Sequence, residues 1–177
     1  MVIFIGKLEK TINYQLAAPI SRTGLYFIYM LATTLRNIII SGAMLVAANL
    51  LFQLPRFVMA GIASLFFLFC SFSFCAISAV ISLFLKNWNS VGVVNNYVLS
   101  PILYLSGAFF ILKDLPVSLQ KIIPINPFFH FVNSFRYFCY GILDYNLAIS
   151  LICCITLTIF AFVLGICMFS KGYKLLN

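Results

Sequence analysis

Residues 57–85 read FVMAGIASLFFLFCSFSFCAISAVISLFL, an apolar run with no charged residue, closed by Lys86-Asn-Trp-Asn. Its length and uniformity decide its state. A helix crossing the roughly 30 Å hydrocarbon core of a bilayer needs about 20 predominantly apolar residues, which this run exceeds. It has no polar side to turn to water, and it is several times longer than an ordinary strand. Only lipid serves as its solvent, and in lipid the backbone must satisfy its own hydrogen bonds as a helix.

Neighbouring stretches behave the same way. Upstream, residues 25–52 (LYFIYMLATTLRNIIISGAMLVAANLLF) form a second long apolar segment, joined to the first by a tight turn at Gln53–Arg56 that contains Pro55. Downstream, residues 91–112 (VGVVNNYVLSPILYLSGAFFIL) carry Asn95, Asn96 and Pro101, so a kinked or irregular span is expected there. Residues 147–170 make the last span, closed by Lys171 and Lys174. Between these two lies 113–146, with prolines, clustered aromatics and charges too frequent for a free span, yet too apolar for a solvated loop. Short re-entrant or interfacial helices, broken at Pro124 and Pro127, fit it best. The predicted fold class is all-α: a polytopic helical membrane protein of about four transmembrane helices within one domain, 1–177.

Composition agrees. The 177 residues are 64% hydrophobic and 8% charged, where soluble domains carry about 25% charged residues. The net charge of +8 is scattered singly and forms no basic stripe, which argues against nucleic-acid binding and for contacts with membrane lipids. Cys70, Cys75, Cys139, Cys153, Cys154 and Cys167 show no CxxC or His/Cys ligand spacing and read as small apolar residues. No metal or cofactor is implied, and His130 stands alone as a ligand candidate. No GxxxxGK[ST] phosphate loop is present, and the three acidic residues are far apart. The chain does not read as an enzyme.

At the N-terminus, apolar residues precede the charges, unlike a secretory signal. Ile5, Leu8, Ile12 and Leu16 recur at three- and four-residue steps among polar residues, an amphipathic interfacial helix ended by Pro19. With the N-terminus inside, Lys7, Lys10, Arg22, Lys86, Lys171 and Lys174 face the cytoplasm, against Arg56, Lys113, Lys121 and Arg136 outside, where Asp114 and Asp144 partly offset them. Both termini are then cytoplasmic. Trp88 and Tyr173 suit the cytoplasmic aromatic belt.

The stretch from Asn96 to Asn146 carries a more specific signal. Pro101-Ile-Leu-Tyr-Leu-Ser-Gly-Ala-Phe-Phe is followed by Leu115-Pro116, Ile125-Asn126-Pro127, Phe135-Arg136-Tyr137 and Gly141. In this order the elements resemble the C-terminal half of type-2 ABC exporter permeases, in the bacterial branch grouped with drug, polysaccharide and lipid exporters. The stretch 7–21, KLEKTINYQLAAPIS, is similar to the coupling helix that precedes the third span of such permeases. The chain looks like such a permease without its first two spans, beginning where the second should end.

The resemblance implies a permease subunit in the bacterial cytoplasmic (inner) membrane. It would be powered by a separate nucleotide-binding ATPase subunit and paired as a homodimer or with a second permease subunit. Glu9, Thr11, Tyr14, Leu16, Ala18 and Pro19 would contact the ATPase. Pro101, Gly107, Asn126, Pro127, Arg136 and Gly141 would shape an outer gate, with Arg136 meeting Asp144. A second reading stays open: a truncated, non-transporting membrane protein, either a remnant or an assembly partner.

Several polar residues admit two roles. Arg36, mid-span, costs roughly 2.5–3.5 kcal/mol on insertion scales. It would meet an anionic substrate group or a partner carboxylate, or else snorkel beside Asn37. Asn95, Asn96, Tyr104 and Ser106 would line a translocation path, or only hydrogen-bond between helices. Gly42, Gly61, Gly107 and Gly165 read as close-packing points.

Overall fold

The structure is a computed structural model that describes residues 2–9, 11, 21–52 and 57–172. Among these residues every regular element is helical. Helix α1 is Val2–Leu8, α2 is Arg22–Phe52 and α3 is Ala60–Phe84. Helix α4, Trp88–Val93, runs into a π-helical turn at Val94–Leu99 and then α5, Ser100–Tyr104. Short helix α6, Val117–Ile122, lies between 3-10 turns at Leu112–Asp114 and Ile123–Ile125. Helices α7, Pro127–Tyr140, and α8, Leu147–Ser170, complete the set. Among the described residues, α2, α3 and α8 are long and apolar enough to cross a membrane. The protein is a multi-pass helical membrane protein.

The third expected span, 91–112, holds an irregular helix. Its helix is continuous from Trp88 to Tyr104 but changes type on the way. Pro101 has no N–H and its ring crowds the carbonyl one turn earlier, so an undisturbed α-helix cannot run through it. The wider turn before it absorbs the conflict: the amide and hydroxyl of Ser100 both donate to the Asn95 carbonyl, five residues back. Helix does not continue to residue 112 as expected. After Tyr104 the chain turns, and Gly107 takes a φ of +81°, a left-handed conformation that ends the helix.

The described residues of 1–55, 68–88 and 158–177 make one compact unit, and those of 56–67 and 89–157 another. In the first, Tyr26 is fully buried and packs its ring near Phe162 and Phe169. Leu83, Cys75, Ala76 and Ala79 complete this core. Small residues let the helices approach: Ser73 and Thr158 share a 2.7 Å hydrogen bond, and a Cβ on Gly165 would lie 2.3 Å from the Tyr26 hydroxyl. Of the four glycines expected at close packing, Gly107 and Gly165 are crowded, whereas Gly42 and Gly61 face open space.

Helix ends are satisfied by other parts of the chain, as an apolar solvent requires. Ser21 caps α2 by accepting from the Gly24 amide at 3.1 Å. Lys7 donates to the carbonyls of Leu83 and Leu85 at the end of α3. Arg22 donates to the Ser170 carbonyl at the end of α8. In the second unit, the amides of Val58 and Met59, just before α3, donate to the carbonyls of Cys139 and Phe138 at the end of α7. Gly141, with φ +72°, then closes α7.

Candidate functional site

The most elaborate polar construction stands on α7. Asn126 begins it: its side chain accepts from the Phe128 amide at 3.0 Å and caps the helix, and Pro127 takes the first turn, where a missing N–H costs nothing. Counting on by four, three and three residues gives His130, Asn133 and Arg136, which therefore fall on one face of the helix. Each fastens α7 to a segment before or after it.

Asn126 donates to the Ile102 carbonyl at 2.7 Å, tying α7 to α5. His130 lies between the Pro124 carbonyl, 2.9 Å from Nε2, and the Ser150 hydroxyl, 3.1 Å from Nδ1. A carbonyl only accepts, so Nε2 carries the proton and neutral Nδ1 accepts from Ser150. Burial lowers the His130 pKa from its ordinary 6.5, against a smaller opposite pull from the Pro124 bond. Asn133, 1% exposed, donates to Ser150 Oγ and to the Tyr145 carbonyl, and its Oδ1 accepts from the amides of Asp144 and Tyr145. Arg136 pairs with Asp144, whose side chain is 2% exposed, and also donates to the carbonyls of Gly107 and Phe110. Gly107 fits closely here: a Cβ on it would stand 3.1 Å from the Phe129 ring.

The Ser150 hydroxyl that faces the His130 ring is fully buried and also accepts from Asn133, so it is closed to any substrate. The chemistry of the stripe is that of a clamp: it fixes α7 between the turn after α5 and the start of α8, in a region where unpaired backbone groups would be costly. Among the outer-gate residues expected from sequence, Asn126 and Arg136 lie on it and the Gly107 carbonyl accepts from Arg136, while Pro127 and Gly141 mark the two ends of α7 and Pro101 stands in α5, exposed. Sequence reading missed Asn133 altogether and gave His130 no function. The signal was present, as polar residues at 126, 130, 133 and 136 in an otherwise aromatic helix.

The remaining candidates do not gather. Asn95, Asn96 and Tyr104 are exposed on the broken helix, with the two amides 3.4 Å apart, whereas Ser106 is buried and donates to the Leu103 carbonyl. Arg36 is exposed on α2, and its neighbour Asn37 reaches Cys75 Sγ at 3.4 Å. Glu9 and Thr11 are exposed, and Tyr14, Leu16, Ala18 and Pro19 lie outside the described residues, as do Lys10, the Gln53–Arg56 turn, Tyr173 and Lys174. Among the described residues no cluster of His, Cys, Asp or Glu is placed to hold a metal ion.

Long apolar helices, a helix broken before a proline and a clamped segment before the last helix define a multi-pass helical membrane protein. Residues 2–140 match the ABC-2 type transporter family, and the chain belongs to it. It is similar to the inner membrane transport permease YadH of Escherichia coli strain K12 and to the protein of that name from Shigella flexneri. Each is 28% identical over 142 residues, covering 80% of this chain and 55% of the relative. The chain thus spans about half the length of the curated relatives it matches. No solved structure matches it.

Proposed function

We propose that this chain is the transmembrane permease subunit of an ATP-driven exporter in the bacterial inner membrane. A separate nucleotide-binding subunit would hydrolyse the ATP. The observation that carries the reading is the family match over residues 2–140, supported by the resemblance to an inner membrane transport permease. In this reading both termini face the cytoplasm. Residues 7–21, from Glu9 and Thr11 to Pro19, meet the ATPase, and the subunit works as a homodimer or beside a second permease subunit. The clamped segment before α8 forms the outer gate. Arg36, Asn95, Asn96 and Tyr104 are exposed as pathway residues must be, and Ser106 serves packing instead. The substrate belongs to the drug, lipid or polysaccharide type.

A second reading is a membrane protein, a remnant or an assembly partner, that does not transport. Reconstitution with its cognate ABC ATPase subunit separates the two. ATP hydrolysis stimulated by the permease and substrate moved into vesicles support export. Association without movement of any substrate supports the second.

A further inference from the structure

Helix α1 holds the end of α3 through two residues one turn apart. Lys7 Nζ donates to the carbonyls of Leu83, at 3.1 Å, and Leu85, at 3.3 Å. These belong to the last turn of α3 and the residue just beyond it, where carbonyls lack helical partners and the helix dipole favours a cation. Phe4, 1% exposed, sets its ring edge-on to Trp88 with centroids 5.3 Å apart. Leu83 and Leu85 are themselves buried, so the contact is closed to solvent on the α3 side. Between Phe84, the end of α3, and Trp88, the start of α4, only Leu85, Lys86 and Asn87 intervene. A shift of α1 therefore pulls on the end of one helix and the beginning of the next together.

On its other side α1 leads straight into the stretch that begins at Lys7 and is exposed at Glu9 and Thr11. Thr11 donates back to the Gly6 carbonyl at 3.3 Å, so this exposed residue is tied to the anchored helix.

We propose that Lys7, together with Phe4 and Trp88, is the joint through which movement of residues 7–21 reaches the end of α3. Lys7 is a positioning residue in this scheme: it grips both carbonyls with one cation and acts through the helix it holds. The proposal rests on the reading that residues 7–21 meet an ATPase subunit. It adds Phe4 and Trp88, which lie outside the stretch 7–21, and gives Lys7, the first residue of that stretch, a role of its own.

Trp88 is the sole tryptophan of the chain, so its emission reports the joint directly. The complex with the cognate ATPase subunit is reconstituted in nanodiscs, and a Trp88→Phe complex is subtracted to remove the partner's tryptophans. Adding a non-hydrolysable ATP analogue should shift Trp88 emission in the wild type. The shift should vanish in Lys7→Met with the ATPase still bound, and return in Lys7→Arg, which restores a cation and donors. An anchor without a part in coupling would leave the shift intact in Lys7→Met, and that result overturns the proposal. Should Lys7→Met fail to accumulate, Phe4→Leu, which keeps an apolar side chain but removes the ring, carries the same comparison. If the wild-type ATPase does not bind, the reading of residues 7–21 fails. The joint is then read in the permease alone, by hydrogen exchange at residues 84–88. Faster exchange in Lys7→Met supports the grip, and unchanged exchange refutes it.

Discussion

Asn133 uses both ends of one amide to hold four groups: two backbone amides, a carbonyl and the Ser150 hydroxyl. Replacing it with Ala strands the amides of Asp144 and Tyr145, and a buried unsatisfied group costs about 1–3 kcal/mol. Asn133→Ala should therefore lose about 3 kcal/mol of stability, seen as a lowered unfolding temperature in detergent; an unchanged transition would show that the stripe is not a clamp. His130 adds a dependence on pH. The folded chain keeps its imidazole neutral, so its pKa lies below the unfolded 6.5, and the unfolded chain takes up the proton first. Its contribution is complete above about pH 6.5 and is lost as pH falls from there toward the lowered value. The unfolding temperature should drop over that interval, and His130→Gln should flatten the drop. A profile equally steep in the variant would assign the titration to another group.

At the level of elements, the close approach of α8 to α2 depends on a hydrogen atom at Gly165. Its neighbour Tyr26 is fully buried, and its hydroxyl has no hydrogen-bond partner among the described residues. Gly165→Ala should destabilise by about 1–3 kcal/mol through overpacking. Tyr26→Phe alone should change little, and in the double variant it should recover part of the loss, because the hydroxyl is the atom in the way. Strict additivity in this cycle would contradict the contact. The same scale shows what the sequence made legible. Spans α2, α3 and α8 were readable because long runs with almost no charge have no other stable state. The end of α5 at Tyr104 was not, since Leu105 to Leu112 is as apolar as the helix before it, and the turn that follows, with Gly107 in the left-handed region, has no periodic signature. The stripe at 126, 130, 133 and 136 was hidden by Pro124 and Pro127, which made the region read as short helices broken at those prolines. Its partners at Ile102, Gly107, Asp144 and Ser150 are distant in sequence and have no periodic signature.

For the molecule as a whole, a single side chain tests whether the membrane-facing surface carries traffic. Arg36 sits near the middle of α2, exposed, at a depth where a charge is expensive to keep. Arg36→Leu should reduce export at normal protein level; unchanged export would reassign Arg36 to snorkelling. The broader account joins a family match, helices suited to lipid, a clamped outer segment and an N-terminal stretch offered to an ATPase. Its central claim is that this chain receives work from ATP hydrolysed elsewhere. The most direct measurement is co-purification with the cognate ABC ATPase subunit, followed by ATP hydrolysis in lipid with and without the permease. The account predicts a stable complex whose hydrolysis rate differs from that of the ATPase alone and depends on residues 7–21. An ATPase that neither binds nor changes its rate would contradict it.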